Sequence, residues 1–156
     1  MEINIPGRGI IKIKNLLLDY NGTIACDGKV IPSVKEKIEA INRKGIRVHL
    51  VTADTNGTAR NQCANMPIKI QIFDNSNAAK NKREIVEKLG VENCICIGNG
   101  FNDGQMFEAC SISIIVIGVE GCSAKSLMKA DIVCNKIEDA FDLILKPSRM
   151  IPTLRG

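Results

Sequence analysis

The 156-residue chain is 45% hydrophobic and 24% charged, which supports one folded domain with a real core and excludes disorder, collagen-like repeats and low-complexity tracts. Its net charge of +4 is scattered along the chain, and with 3% aromatics and no tryptophan it offers no base-stacking platform, so nucleic acid is not an expected partner. No run approaches the roughly 20 apolar residues of a membrane helix, and the seven cysteines lack CxxC pairing. The expectation is a cytoplasmic protein with no membrane segment and with reduced thiols.

MEINIP-GRG-IIKIK alternates with period two around a glycine turn, predicting an antiparallel hairpin that runs into the first parallel strand, near 10–18. That strand ends in LLLD and drops at once into Asn21-Gly22-Thr23. Three readings compete there: a hairpin turn, a glycosylation acceptor, or a strand end presenting Asp19. A cytoplasmic location sets aside glycosylation here and at Asn56-Gly57-Thr58. IACDGKVI then predicts a small flap hairpin turning at Asp27-Gly28.

Beyond the flap, Pro32 and Gly45 bracket a helix near 33–44, followed by a strand near 46–52 that ends at Thr52 and packs His49 within the sheet. A helix near 55–65 is expected to take Asp54 as its cap. Next come a strand near 68–73, a helix near 78–89 carrying Lys82, and a strand near 93–97 that places Cys94 and Cys96 in the core. That strand runs into Gly98-Asn99-Gly100-Phe101-Asn102-Asp103. Helices near 103–110, 123–129 and 137–145 alternate with strands near 112–117 and 131–134, before the basic tail KPSRMIPTLRG, solvated or packed. The alternation predicts α/β: a single doubly wound, Rossmann-like, three-layer domain over residues 1–156, built on a parallel sheet.

Ligands of such sheets bind beyond the carboxyl ends of the strands, and the chemistry gathers there. Asp19 can attack as an oxygen nucleophile. Asp19, the Asn21 carbonyl, Asn99 and Asp103 form an oxygen-rich set suited to Mg²⁺, while Thr52 and Lys82 can hold a phosphate. Gly22 allows the sharp turn, and Gly98 and Gly100 allow close backbone approach. Lys82 is preferred over Lys80 by its spacing to Ile85-Val86, and Asn102 is expected to hold its own loop by hydrogen bonding.

These stretches resemble the four motifs of the haloacid dehalogenase superfamily of phosphohydrolases. Asp19-Tyr20-Asn21-Gly22-Thr23 stands for D-x-D-G-T, Thr52 ends an apolar strand, Lys82 precedes Ile85-Val86, and Gly98 to Asp103 stand for G-D-G-x-N-D. More narrowly, Thr52-Ala53-Asp54 and Lys82-Arg83-Glu84-Ile85-Val86 resemble the phosphorylation domain of P-type ATPases and the small soluble proteins related to it. The resemblance implies catalysis by Asp19, Asn21, Thr52 and Lys82. It implies a phosphate site made of Asp19, Tyr20, Asn21, Gly22, Thr52, Ala53, Lys82 and Asn102, and a Mg²⁺ cofactor. The intervals Asp19 to Thr52 and Thr52 to Lys82 leave no room for a cap domain. An open site would suit a phosphorylated small molecule or a phosphoprotein, with a neighbouring subunit of a homo-oligomer able to close it.

Two residues depart from the family pattern. Asn21 stands where a second carboxylate normally protonates the leaving group and activates water, so good leaving groups such as ATP, aryl or acyl phosphates should be favoured and turnover slow. Asn99 stands for a metal-binding Asp, and by charge alone Asn99→Asp is expected to tighten Mg²⁺. The alternative reading is a phosphate-binding regulatory module that has lost most of its hydrolysis.

Overall fold

A computed structural model describes residues 1–54, 57–73 and 75–156. The chain opens with an antiparallel hairpin, β1 (Glu2–Ile5) and β2 (Gly9–Lys12), and then hands over to β3 (Asn15–Leu18). The single strand expected near 10–18 is therefore two. Ile13 still bonds to Met1, whereas Lys14 already donates to Asn93 and accepts from Arg47, so the chain changes sheets within two residues.

After the flap strands β4 (Ala25–Cys26) and β5 (Lys29–Val30) come α1 (Val34–Arg43), β6 (Arg47–Thr52), α2 (Ala59–Cys63), β7 (Lys69–Ile72) and α3 (Ala78–Leu89). The second half runs β8 (Cys94–Gly98), α4 (Gly104–Ala109), β9 (Ile112–Val116), α5 (Ala124–Leu127), β10 (Ile132–Cys134), α6 (Ile137–Leu145) and α7 (Ile151–Leu154). The main sheet has six strands in the order β10-β9-β8-β3-β6-β7, all its pairings parallel. Leu16 to Leu18, the whole of β8 and the whole of β9 are buried, as expected for strands covered on both faces.

Alternation of side chains divides the core between the two faces. Leu16, Leu18, Leu50, Ile95 and Ile97 pack with Ile38 and Ile41 of α1 and Phe141 and Ile144 of α6. Leu17, Val51 and Cys96 pack on the other face with Val86 of α3 and Met106 and Phe107 of α4. The tail is packed: Met150 and Leu154 are buried in the α1/α6 layer, and Gly156 N–H donates to the Pro6 carbonyl. Among the described residues no helix is long and apolar enough to cross a membrane.

From the central β3 the chain moves outward to β6 and β7, then crosses to β8, β9 and β10 on the other side. The switch in direction falls between β3 and β8, where a parallel sheet leaves a crevice at its carboxyl edge. Asp19 follows β3 and Asn99 follows β8 at that edge.

Candidate active site

The turn after β3 is tight. The Tyr20 carbonyl accepts from the N–H groups of Thr23, Ile24 and Ala25, and Gly22 takes φ +74°. Since β3's sheet neighbours are the parallel strands β6 and β8, Asn21-Gly22 is not a hairpin turn joining paired strands. It leaves Asp19 at the floor of a cleft of about 420 Å³ lined by Asp19, Asn21, Thr52, Ala53, Asn99, Gly100, Phe101 and Asn102.

Lys82 lies one helical turn from Ala78 and from Val86 on the buried face of α3, and is 0% exposed. Its ammonium donates to Asp19 Oδ1 at 2.6 Å, Asp103 Oδ1 at 2.6 Å and Asn102 Oδ1 at 3.3 Å. A lysine ammonium has three N–H bonds, and these acceptors take all three. Lys82 thus clamps Asp19 from beneath and ties it to Asp103 and Asn102. Asp103 is equally committed: its Oδ2 accepts from the N–H groups of Asn99 at 3.0 Å and Gly100 at 2.8 Å. Its two oxygens thus tie the loop to the lysine, Oδ2 on the loop and Oδ1 on the ammonium.

These contacts need bare glycine. A Cβ on Gly98 would lie 2.3 Å from Asp103 Oδ2, and one on Gly22 would lie 2.1 Å from Asn99 Nδ2. The electrostatics follow from the same crowding. Burial and the Asp103 carboxylate raise the Asp19 pKa to about 6, against the opposing pull of Lys82. For Lys82, burial alone would lower the pKa, but Asp103 and Asp19 together raise it.

Thr52 Oγ1 accepts from Asp54 N–H at 2.9 Å, which leaves its O–H to donate into the cleft. Asp54, at φ +45°, accepts on Oδ1 from the N–H groups of Thr58 at 3.0 Å and Ala59 at 3.1 Å. It satisfies N–H groups at the start of α2, but from outside the helix, since the N-cap position is Thr58. That helix is shorter than expected and starts at Ala59; Thr55, the expected start, lies outside the described residues with Asn56.

Tyr20 and Gly22 do not line the cleft. The Tyr20 side chain is buried, and its hydroxyl donates to the Gly28 carbonyl at 3.0 Å and meets Thr58 Oγ1 at 3.2 Å, tying the flap to the start of α2. Gly22 instead borders an apolar cavity of about 470 Å³ between the flap and the segments after β9 and β10. His49 is a core residue whose Nε2 meets Asn15 Oδ1 at 3.2 Å, and Cys94 and Cys96 are buried free thiols.

Sequence reasoning passed over Phe101 and Thr23 as site residues. Phe101 is 68% exposed at the cleft, with the Lys125 ammonium 5.6 Å from its ring centroid. An apolar side chain inside the Gly98 to Asp103 motif was its available signal. Thr23 is buried and donates to Asn99 Oδ1 at 3.2 Å. Asp19, Asn21 and Asn99 border the same cleft, and the candidate metal donors among them are the Asp19 carboxylate, the Asn99 amide oxygen and the Asn21 main-chain carbonyl. All are hard oxygen donors that fit a Mg²⁺-like ion, with one formal charge among them.

The family model described as haloacid dehalogenase-like hydrolase matches residues 5–111. An uncharacterized protein of Methanocaldococcus jannaschii is 41% identical over 78 residues, 47% of this chain and 84% of that protein. The copper-transporting ATPase ccc2 of Schizosaccharomyces pombe is 26% identical over 116 residues, which span 73% of this chain but 12% of the ATPase. Among solved structures, the 3-deoxy-D-manno-octulosonate 8-phosphate phosphatase of Moraxella catarrhalis, in complex with magnesium, phosphate and KDO, superposes with TM-score 0.72 at 17% identity, covering 92% of this chain and 94% of that one. The cobalt-bound deoxy-D-mannose-octulosonate 8-phosphate phosphatase of Haemophilus influenzae gives TM-score 0.72 at 17% identity over 86% of this chain and 88% of that one. At that identity the likeness is one of fold.

Proposed function

We propose, for a chain that belongs to the haloacid dehalogenase-like hydrolase family, a phosphohydrolase reaction that passes through a phosphoenzyme on Asp19. An Asp19 oxygen forms a bond to phosphorus as the bond to the leaving-group oxygen breaks. Water then attacks the phosphorus, releasing phosphate and restoring the carboxylate. The observation that carries this reading is the Lys82 ammonium set 2.6 Å from both Asp19 and Asp103 at the end of β3. It favours the ionised, nucleophilic form of a carboxylate that burial would otherwise keep protonated.

The other residues bind and orient. The Thr52 hydroxyl donates to a phosphoryl oxygen, and Ala53 and Asn102 wall the cleft. Asp19, the Asn21 carbonyl and Asn99 would hold Mg²⁺, which when bound offsets charge between nucleophile and phosphoryl oxygens. Asp103 fixes the loop and Lys82. Because Asn21 carries no transferable proton, leaving groups that depart unprotonated react first, and the phosphoenzyme persists. The substrate is a phosphorylated small molecule with a good leaving group.

The test is acid-quench trapping of label on the protein from acetyl phosphate, p-nitrophenyl phosphate and ATP with Mg²⁺, beside Asp19→Asn. Label lost only in Asp19→Asn supports the reading; turnover without label, or label retained in Asp19→Asn, overturns it. The second reading, a regulatory phosphate-binding module, is favoured by amides at both Asn21 and Asn99. It predicts that beryllium fluoride binds with Mg²⁺ while no phosphoester turns over.

A further inference from the structure

The Asn99 side chain is fixed from two sides. Its Nδ2 donates to the Gly121 carbonyl at 3.0 Å, and its Oδ1 accepts from the Thr23 hydroxyl at 3.2 Å. A main-chain carbonyl only accepts, so turning the amide over would press two acceptors together; this fixes which end is oxygen. The segment supplying that carbonyl is itself held. Ser123 N–H donates to the Asn99 carbonyl at 2.8 Å, and Glu120 Oε1 accepts from Asp27 N–H in the flap at 2.8 Å. Gly22 leaves the space Nδ2 occupies, so the amide is enclosed by the nucleophile turn on one side and the segment after β9 on the other.

We propose that Thr23 and the Gly121 carbonyl are positioning groups for Asn99, and that the site is built for an amide at this position. A carboxylate there would face the Gly121 carbonyl with no proton between the two oxygens, and would add an anion beside Asp19 and Asp103. Asn99→Asp is then a loss, which reverses the expectation from charge alone. The inference rests on the reading of Asn99 as an oxygen ligand for its metal arm, and on hydrogen-bond geometry alone for its metal-free arm.

The metal-free arm compares thermal unfolding of wild type, Asn99→Ala and Asn99→Asp in EDTA at pH 7.5. Asn99→Asp should melt about 4–8 °C below wild type and no higher than Asn99→Ala. A melting point at or above wild type overturns the proposal. The metal arm measures free Mn²⁺ by electron paramagnetic resonance during titration of each protein. Thr23→Val keeps the shape but removes the donor, and should weaken Mn²⁺ about 10-fold, with Thr23→Ser restoring affinity. Wild-type affinity in Thr23→Val, or tighter binding in Asn99→Asp, overturns it. Wild type that binds no Mn²⁺ would sink the metal reading of the proposed function, and the thermal comparison then decides the inference alone.

Discussion

Asp19 Oδ1 and Asp103 Oδ1 each lie 2.6 Å from the Lys82 ammonium, so a carboxylate just past β3 and one at the start of α4 are held together by one fully buried cation. Remove the cation and two like charges face each other away from water.

The first prediction follows from that pairing. Lys82→Met should destabilise the protein by about 3–5 kcal/mol, because it leaves two carboxylates uncompensated. Adding Asp103→Asn should recover part of the loss. Urea unfolding of the single and double variants measures both, and a double variant no more stable than Lys82→Met would show that the triad is not the source.

The pKa of Asp19 gives a second. Burial and Asp103 raise it from 3.8 to about 6, so the folded chain disfavours the ionised form relative to the unfolded one, and this group opposes folding. The opposition is complete above about pH 6 and fades as pH falls toward 3.8. Asp19→Asn should therefore stabilise the metal-free protein at pH 7.5 by on the order of 2–3 kcal/mol, with the gain shrinking at pH 4.5. Mg²⁺ binding near pH 5 should release a proton, detectable by calorimetry in buffers of different ionisation enthalpy. A gain independent of pH would contradict the raised value.

Restoring a carboxylate at the other departure tests the leaving-group argument. Asn21→Asp should speed phosphorylation by alkyl phosphates by roughly 10²–10⁴, should speed acyl phosphates far less, and should shorten phosphoenzyme lifetime for every substrate. Single-turnover labelling separates the two steps. If neither step moves, Asn21 is not the control point.

Asp54 offers a fourth. Asp54→Ala removes the acceptor for Thr58 and Ala59 N–H, and should cost about 1–2 kcal/mol. Asp54→Asn keeps an acceptor and suits the left-handed φ of +45°, so it should stay close to wild type in stability and turnover. Equal loss of activity in both variants, with stability unchanged in Asp54→Asn, would assign Asp54 to the substrate.

The sheet was legible because buried parallel strands are written as unbroken apolar runs, and α3 and α6 appear at their predicted ends because Ala78, Lys82 and Val86, and Ile137, Phe141 and Ile144, keep helical phase. Lys82 could be told from Lys80 by that same phase. The short α7 was not foreseen: KPSRMIPTLRG reads as polar, and only Met150 and Leu154 are buried in the core. The orientation of Asn99 was not legible either. Its partner is the main-chain carbonyl of Gly121, and a carbonyl acceptor leaves no mark in a sequence of side chains. Nor does the sequence show that the loop turns two N–H groups, from Asn99 and Gly100, toward Asp103, the residue expected to bind metal.

Gly98 constrains the order in which mutations can accumulate. The space its Cβ would fill is already taken by Asp103, whose Oδ2 would be 2.3 Å away and whose Cγ 2.4 Å away. Gly98→Ala alone forces the carboxylate off the Asn99 and Gly100 amides and off Lys82. In an Asp103→Gly background the same alanine meets none of those atoms, so its cost should largely vanish. A lineage that drifts away from this chemistry must lose Asp103 before it can lose Gly98, and glycine at 98 should outlast the acid in any descendant that has stopped turning over phosphate.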